Sequence, residues 1–533
     1  MKRSKNEMKT EKKRWAIRCG ATLLFVLLLV LACAGCVKEP AASTEATAPA
    51  ATEPSGYDGA ESPVRIDGGA TLSLAAPVGL KYTGSVDKGY LDALIAAYGA
   101  DHVKTGLLFT ATENLTKNGI AFTAEALDAC AAVTGQKYVK VESAPALDAS
   151  GNVYRINGTL EVTRTNYGRL YSAVAYVAVD GKILRYSAYS DADNVRSLSG
   201  LAGERYLDVS ETKADKYQNA VTLHGKTVYS PYTAAEYAQL PRFCTFVTAM
   251  SYNLAVYDSP SGGAGWEGRN PLVAMETVKT ALPDIVGFQE VNQKETIGWD
   301  SYLADLAAQG GYTRVAGRYT TDNFEKNEIF FKTDKFNMIA EGTFTFKQVI
   351  SNLKLSNPEG ADNTIDSHGR TFHYVKLETK GTGRKVLVVD THLHYGGTGN
   401  GHEEDDKVRR YEISALLAWL QLQVEEYPDQ IVLGDMNAHY KADNPNNGGT
   451  RTMTTFLNGG FAMTSLSAKV KGDAGGTLAV SDRKTRSEYV FDHVLTKGAL
   501  GAGYYTVVDN PNDVGNSYPS DHIPVMAEIY FLQ

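Results

Sequence analysis

Polar residues able to hold a metal or move a proton recur through the second half of the chain, and most of them close a short apolar run. Asn253 ends Phe246-Val-Thr-Ala-Met-Ser-Tyr-Asn, and Glu290 ends Ile285-Val-Gly-Phe-Gln-Glu. His392, with His394 two residues on, ends Val386-Leu-Val-Val-Asp-Thr-His, while Asp435 and Asn437 end Ile431-Val-Leu-Gly-Asp-Met-Asn. Asp492 stands in Tyr489-Val-Phe-Asp-His493, and Asp521 and His522 in Ser520-Asp-His-Ile-Pro. Oxygen ligands such as Glu290, Asn253 and Asp521 suit a hard ion like Mg²⁺, with Mn²⁺ the alternative. Histidines near carboxylates supply an acid/base system that works near neutral pH. Asp435 and Asn437, two apart in extended chain, share a face, so one can orient water while the other donates to a phosphate oxygen. Together these groups suit phosphodiester hydrolysis, in which positive charge must meet an anionic substrate and the leaving oxygen must be neutralised.

Such residues need strands that end on one rim. The apolar runs are short enough for buried strands, and helices are expected between them over 270–281 and 406–425. Polar residues at the ends of buried strands are where α/β folds place their sites. Each motif alone is unremarkable, since an Asn closing a strand is usually a cap and Asp-x-Asn usually a loop. Their order carries the information.

Ser-Tyr-Asn, Asp-Ile-Val-Gly-Phe-Gln-Glu-Val, Thr-His-Leu, Leu-Gly-Asp-Met-Asn, Phe-Asp-His and Ser-Asp-His-Ile-Pro-Val, in this sequence, resemble the ordered motif set of the endonuclease/exonuclease/phosphatase family over residues 244–533. The resemblance implies an α/β four-layer sandwich, two packed mixed β-sheets flanked by helices, preceded here by a mostly-β domain. It implies that Glu290 is the principal metal ligand, with Asn253 beside it and Asp521 as a further metal-site carboxylate. Asp435 and Asn437 would align or deprotonate water and contact phosphate. His522 would bind phosphate or act as base, with Asp492 orienting its other ring nitrogen. His392 would be the second histidine, a general acid in pancreatic deoxyribonuclease-like members, with His394 its rival. The carboxylate expected to pair with it precedes Ile329-Phe-Phe-Lys332, where Glu325 fits the offset better than Glu328. His402, His439 and His493 read as bystanders.

At 533 residues the chain is too long for one core, and two folded domains plus tails are expected. Residues 65–240 read as mostly β, with a hairpin turn at Asp180-Gly181 and helices around 89–98 and 124–133. The role of this domain is not legible. The N-terminus is rich in Lys and Arg to Arg18, then apolar from Ala21 to Ala32, and ends in Cys33-Ala-Gly-Cys36. That pattern resembles a bacterial lipoprotein signal over 1–36, lipidated at Cys36 or at Cys33, and it predicts attachment to the extracellular face of the cytoplasmic membrane. Residues 37–64, rich in Ala, Thr, Pro, Glu and Ser, read as a disordered tether. Of the cysteines in folded regions, Cys130 reads as a small core residue, and a disulfide to Cys244 is the lesser alternative.

A formal net charge of −8 argues against passive, non-specific nucleic-acid binding but not against a nuclease whose ions supply positive charge. Gly434-Asp-Met-Asn-Ala-His439 departs from the Gly-Asp-x-Asn-Tyr-Arg of inositol polyphosphate 5-phosphatases. Asn292 stands where deoxyribonuclease-like enzymes follow Gln-Glu-Val with arginine. Bacterial sphingomyelinases share Gln-Glu-Val and Ser-Asp-His and add exposed aromatic hairpins, for which Gly501-Ala-Gly-Tyr-Tyr505 is a weak candidate. The expected substrate is a phosphodiester, with nucleic acid favoured and sphingomyelin or another small phosphoester the alternative. An inactive surface-binding protein is a distant third, and no obligate protein partner is evident.

Overall fold

Both faces of the strands in residues 244–533 are apolar, and the structure buries both. A computed structural model of the chain describes residues 51–532 apart from 58–60, 208–216, 224–225, 256–270, 293–298, 320–324, 362–368, 397–401, 442–446, 480–484 and 510–517. Cys36, the signal segment, residues 37–50 and the side chains of Asn292 and Glu325 lie outside the described residues.

Among the described residues, one mixed sheet runs in the order Tyr312–Ala316, Glu325–Lys332, Ile285–Asn292, Phe246–Asn253, Val525–Phe531, Leu500–Val507, Val470–Lys471. The other runs Phe336–Thr345, Thr371–Thr379, Lys385–His392, Gln430–Asp435, Asp492–Lys497, Ala462–Met463. Val247, Ile285 and Ile329 of the first sheet and Val386, Val388, Ile431 and Val494 of the second share one core. On its other face the first sheet packs Tyr252, Val286 and Phe288 against Val278 and Leu303 of helices Pro271–Ala281 and Trp299–Gly310. The second packs Leu387, Val389 and Val432 against Ile413, Leu416 and Phe456 of helices Glu403–Gln421 and Gly448–Asn458. Such two-sided burial is why these strands read as unbroken apolar runs. Each fully buried aliphatic chain contributes about 1.5–3 kcal/mol.

Each sheet has a parallel pair at its centre, Phe246–Asn253 with Ile285–Asn292 and Lys385–His392 with Gln430–Asp435. Parallel pairing brings both C-terminal strand ends to the same rim. In the second sheet the register sets His392 opposite Asp435, and Asp435 opposite Asp492.

Among the described residues of 64–230 lie two smaller antiparallel sheets and a hairpin. Asp180 and Gly181 join Tyr171–Val179 to Lys182–Tyr186 with φ of 48° and 81°, the backbone a tight hairpin requires. Helices Lys88–Tyr98 and Ala124–Thr134 fall where the sequence places them, but Thr112–Asn118 and Leu198–Leu207 were not expected. Leu198–Leu207 carries Gly200 and Gly203, and a Cβ at Gly200 would overlap the Leu532 carbonyl oxygen. The glycines thus let this helix lie flush on the last strand of the chain. The expected tether to residue 64 ends sooner: Glu53 pairs with Arg185, and Tyr57 packs edge-on against Tyr90 with centroids 5.0 Å apart. Cys130 is half-buried beside Asn118 rather than in the core, and neither it nor buried Cys244 is in a disulfide. Gly501–Tyr505 belongs to the strand Leu500–Val507, inside the first sheet, with Tyr504 and Tyr505 buried. It is no exposed aromatic hairpin.

Candidate active site

Glu290 sits in a bulge. The pairing of Ile285–Asn292 with Glu325–Lys332 slips between Phe288 and Val291, and Glu290 takes φ 60°. Asn437, just past the end of Gln430–Asp435, takes φ 45°. Left-handed backbone at a non-glycine residue costs of order 1 kcal/mol and persists where surrounding structure imposes it, often at functional sites. In both places it re-aims a side chain at the rim.

The two sheets meet over Asn253. Its Nδ2 donates to Glu290 Oε1 and to Asp435 Oδ2, each at 2.9 Å, while its Oδ1 accepts from Ala255 N–H. Expected as a metal ligand, Asn253 therefore turns its oxygen inward and its amide toward the carboxylates, and it clamps them. Asp435 Oδ1 accepts from Asn437 N–H at 2.8 Å. His392 Nε2 lies 3.4 Å from Asp435 Oδ2, 3.8 Å from Glu290 Oε1 and 3.0 Å from Asn437 Nδ2. His522 Nδ1 is 2.8 Å from Asp492 Oδ2, and its Nε2 is 3.6 Å from Asp435 Oδ2. Burial alone would push the His522 pKa down. The carboxylates of Asp492 and Asp435 outweigh it and hold the imidazole well above its ordinary range.

Candidate ligand atoms of Glu290, His392 and Asp435 lie within 4.8 Å of one another, as do those of Asp435, Asp492 and His522. Asp492 Oδ1 is buried with no hydrogen-bond partner among the described residues. Converging buried carboxylates cost several kcal/mol unless a cation offsets them, so these residues fit a divalent ion bound through oxygen. Asp521, expected as a further ligand, belongs to neither cluster. It lies on the rim beside Ser520, its near charge adding to the rise in the His522 pKa.

His392 reaches the cluster, and its rival His394 does not: His394 Nε2 pairs with Asp405 Oδ1 at 3.0 Å. His392 meets a guanidinium in place of the expected carboxylate. Arg370 Nη1 is 2.7 Å from its Nδ1, and burial, then Arg370, push its pKa down to about 4. Glu328 is held away from the site by Arg314 and Lys326, at 2.6 and 2.8 Å. Glu325 opens its strand opposite Asn292, and its side chain lies outside the described residues. His493 Nε2 is 3.0 Å from the Ala438 carbonyl and His439 Nδ1 accepts from Val490 N–H, while His402 pairs with Asp405.

Arg370 was missed because a lone arginine before a strand carries no pattern. Gln289, within the motif, donates to Asp390 Oδ1 at 2.6 Å, and burial raises the Asp390 pKa well above the usual carboxylate range. A Cβ on Gly287 would collide with that carboxyl. So Gly287 and Gln289 brace the strand beneath Glu290.

Residues 250–522, more than half of the chain, match the model of the Endonuclease/Exonuclease/phosphatase family, and the chain belongs to that family. It is a phosphoester hydrolase. Among curated proteins it is similar to the CCR4-Not complex 3'-5'-exoribonuclease subunit Ccr4 of Candida albicans, 28% identical over 178 residues. That match covers 32% of this chain and 22% of the relative. The same subunit of Saccharomyces cerevisiae is 22% identical over 318 residues, 52% of this chain and 36% of the relative. The chain thus spans about a third or less of these relatives. Among solved structures, the mannosyl-6-phosphatase of Bacteroides thetaiotaomicron is 21% identical with a TM-score of 0.40, covering 53% of this chain and 99% of that one.

Proposed function

We propose that the protein is an exported, lipid-anchored, Mg²⁺-dependent phosphodiesterase that cleaves nucleic acid outside the cell. The observation that carries the catalytic part is the convergence of Glu290 and Asp435, clamped by Asn253, beside the His522–Asp492 pair. Glu290 and Asp435 would hold the ion, Mg²⁺ or alternatively Mn²⁺, which when bound supplies positive charge against the phosphate. Asp435 takes the proton of the attacking water as its oxygen bonds to phosphorus. His522, protonated by virtue of its carboxylate neighbours, donates from Nε2 to a phosphoryl oxygen. Asn437 donates to the same group. The phosphorus–oxygen bond to the alkoxide breaks, and the alkoxide takes its proton from water on the side lined by His392, which its lowered pKa keeps neutral. Asp521 remains an outer carboxylate, and Glu325 a candidate neighbour of the rim. The two sheets with helices on their outer faces support the four-layer reading.

The basic start, the apolar run from Ala21 to Ala32 and Cys36 support export and lipidation. The exoribonuclease relatives and that setting favour nucleic acid. A small phosphoester is the second reading, favoured by the net charge of −8, which gives a long polyanion no steering toward the protein. The test is one panel: plasmid DNA, RNA, sphingomyelin and bis(p-nitrophenyl) phosphate, each with Mg²⁺ and with EDTA. Cleavage of DNA or RNA only with Mg²⁺ is expected. Turnover of the aryl diester or sphingomyelin alone would give the site to small substrates, and turnover in EDTA would end the metal reading.

A further inference from the structure

We propose that the seam between the N-terminal domain and the base of the hydrolase is a binding site for a phosphomonoester. A cavity of about 510 Å³ lies there, within the range of small-molecule pockets, which favour domain junctions. Phe246, in its wall, begins the strand that ends at Asn253. The cavity is therefore seven residue steps, about 23 Å, from the catalytic rim.

Its lining carries Arg164 and Arg242 from the N-terminal side, Lys335 and Lys380 from the hydrolase, and Asp334 as the carboxylate opposing them. Lys335 is paired with Asp284 at 2.7 Å, and Lys380 donates to the Thr333 carbonyl. Arg242 lies over the Phe243 ring, and neither Arg164 nor Arg242 has a carboxylate partner among the described residues. Four cations less Asp334 and Asp284 leave two positive charges, in a chain of net charge −8. A phosphomonoester, close to a dianion at neutral pH, matches that excess, and guanidinium forks suit its oxygens.

Hydroxyls and rings supply the rest. Thr379 and Thr382 share a hydrogen bond at 2.9 Å, and Thr382 also meets Thr245, so the wall presents hydroxyls able to donate or accept. Tyr167 and the edge of the Phe246 ring, whose faces meet Tyr206 and Lys335, add apolar surface to the wall. Cys244, in the same wall, is buried, and burial pushes its thiol pKa up to about 12. The N-terminal domain thereby completes a ligand site rather than only covering a strand edge.

The test uses the full chain carrying Glu290→Gln, without divalent metal, so that the catalytic site turns nothing over. Inorganic phosphate, adenosine 5'-monophosphate and glucose 6-phosphate are titrated by calorimetry to about 10 mM. Saturable binding of one of the two organic phosphates, tighter than inorganic phosphate, is expected, and which one binds separates nucleotide from sugar. Adding Arg164→Ala and Arg242→Ala should weaken it at least about tenfold, while His522→Ala should leave it unchanged. If the double variant melts, Lys380→Gln takes its place with the same expectation. Absence of saturable binding, equal affinity in the seam variants, or loss in His522→Ala overturns the proposal. None of these outcomes depends on turnover, so failure here is distinct from failure of the catalytic reading.

Discussion

Asn253 Nδ2 donates to Asp435 Oδ2 at 2.9 Å, a hydrogen bond that passes from one sheet to the other at the catalytic rim. With the matching bond to Glu290 it holds two carboxylates at a spacing that suits one ion. Asn253→Asp would replace the donor by a third anion. We predict a loss of at least roughly a hundredfold in kcat/KM, a few kcal/mol of transition-state stabilisation, with weaker metal binding. Asn253→Ser keeps a donor and should lose less. Equal activity in wild type and Asn253→Asp would show that the clamp has no catalytic role.

Glu290 combines the central metal position with φ 60°. Glu290→Gln should abolish activity, at least about a hundredfold, with the fold intact. Glu290→Gly should be equally inactive yet more stable than Glu290→Gln by about 1 kcal/mol, because glycine adopts that backbone without strain. Denaturant unfolding of both variants checks it. A Glu290→Gly chain less stable than Glu290→Gln would mean that the bulge is not strained.

What could be read from the chain was the strand-end order, because Asn253, Glu290, His392 and Asp435 each close an apolar run of the kind a doubly covered strand needs. The His522–Asp492 pair is the one the family resemblance implied, and the antiparallel register that sets Asp492 opposite Asp435 brings it to the rim. Partners without a local pattern were not legible. Arg370 meets His392 only because two strands pair in register, Phe372 opposite Thr391. Arg409 and Glu412 stand on a charged helical face yet are buried, because Leu393–Gly396 passes over them, and Asp406 is buried because Thr452 and Arg410 close on it. Leu198–Leu207 was obscured by its glycines, whose low helix propensity yields to packing against the final strand.

That packing joins the hydrolase to its neighbour. Val221, Leu223 and Val228 of the N-terminal half share a core cluster with Val470 and Tyr504 of the hydrolase, and Tyr206 stacks on Phe246 at 4.9 Å. A fragment of residues 241–533 exposes this surface, and we predict that it melts below the full chain. Gly200→Val in the full chain should also destabilise, by roughly 1–3 kcal/mol, through overlap with Leu532. A fragment as stable as the whole, with Gly200→Val neutral, would mean that the two halves fold independently.

Glu412 links stability to pH. Its carboxylate accepts from His394 N–H at 2.8 Å, and burial raises its pKa from 4.5 to about 8 despite Arg370 and Arg409 nearby. In the unfolded chain it titrates near the ordinary glutamate value. Between about 4.5 and 8 the folded state therefore holds a proton that the unfolded state has released, so stability falls as pH rises through this window. Glu412→Gln keeps the acceptor and removes the ionisation. Its stability relative to wild type should be near zero at the acid end and should rise by up to a few kcal/mol by the alkaline end. Urea unfolding of both proteins across that window reads the difference directly. A constant difference would mean that Glu412 is already ionised in the folded state, held by Arg370 and Arg409, and that its burial is compensated.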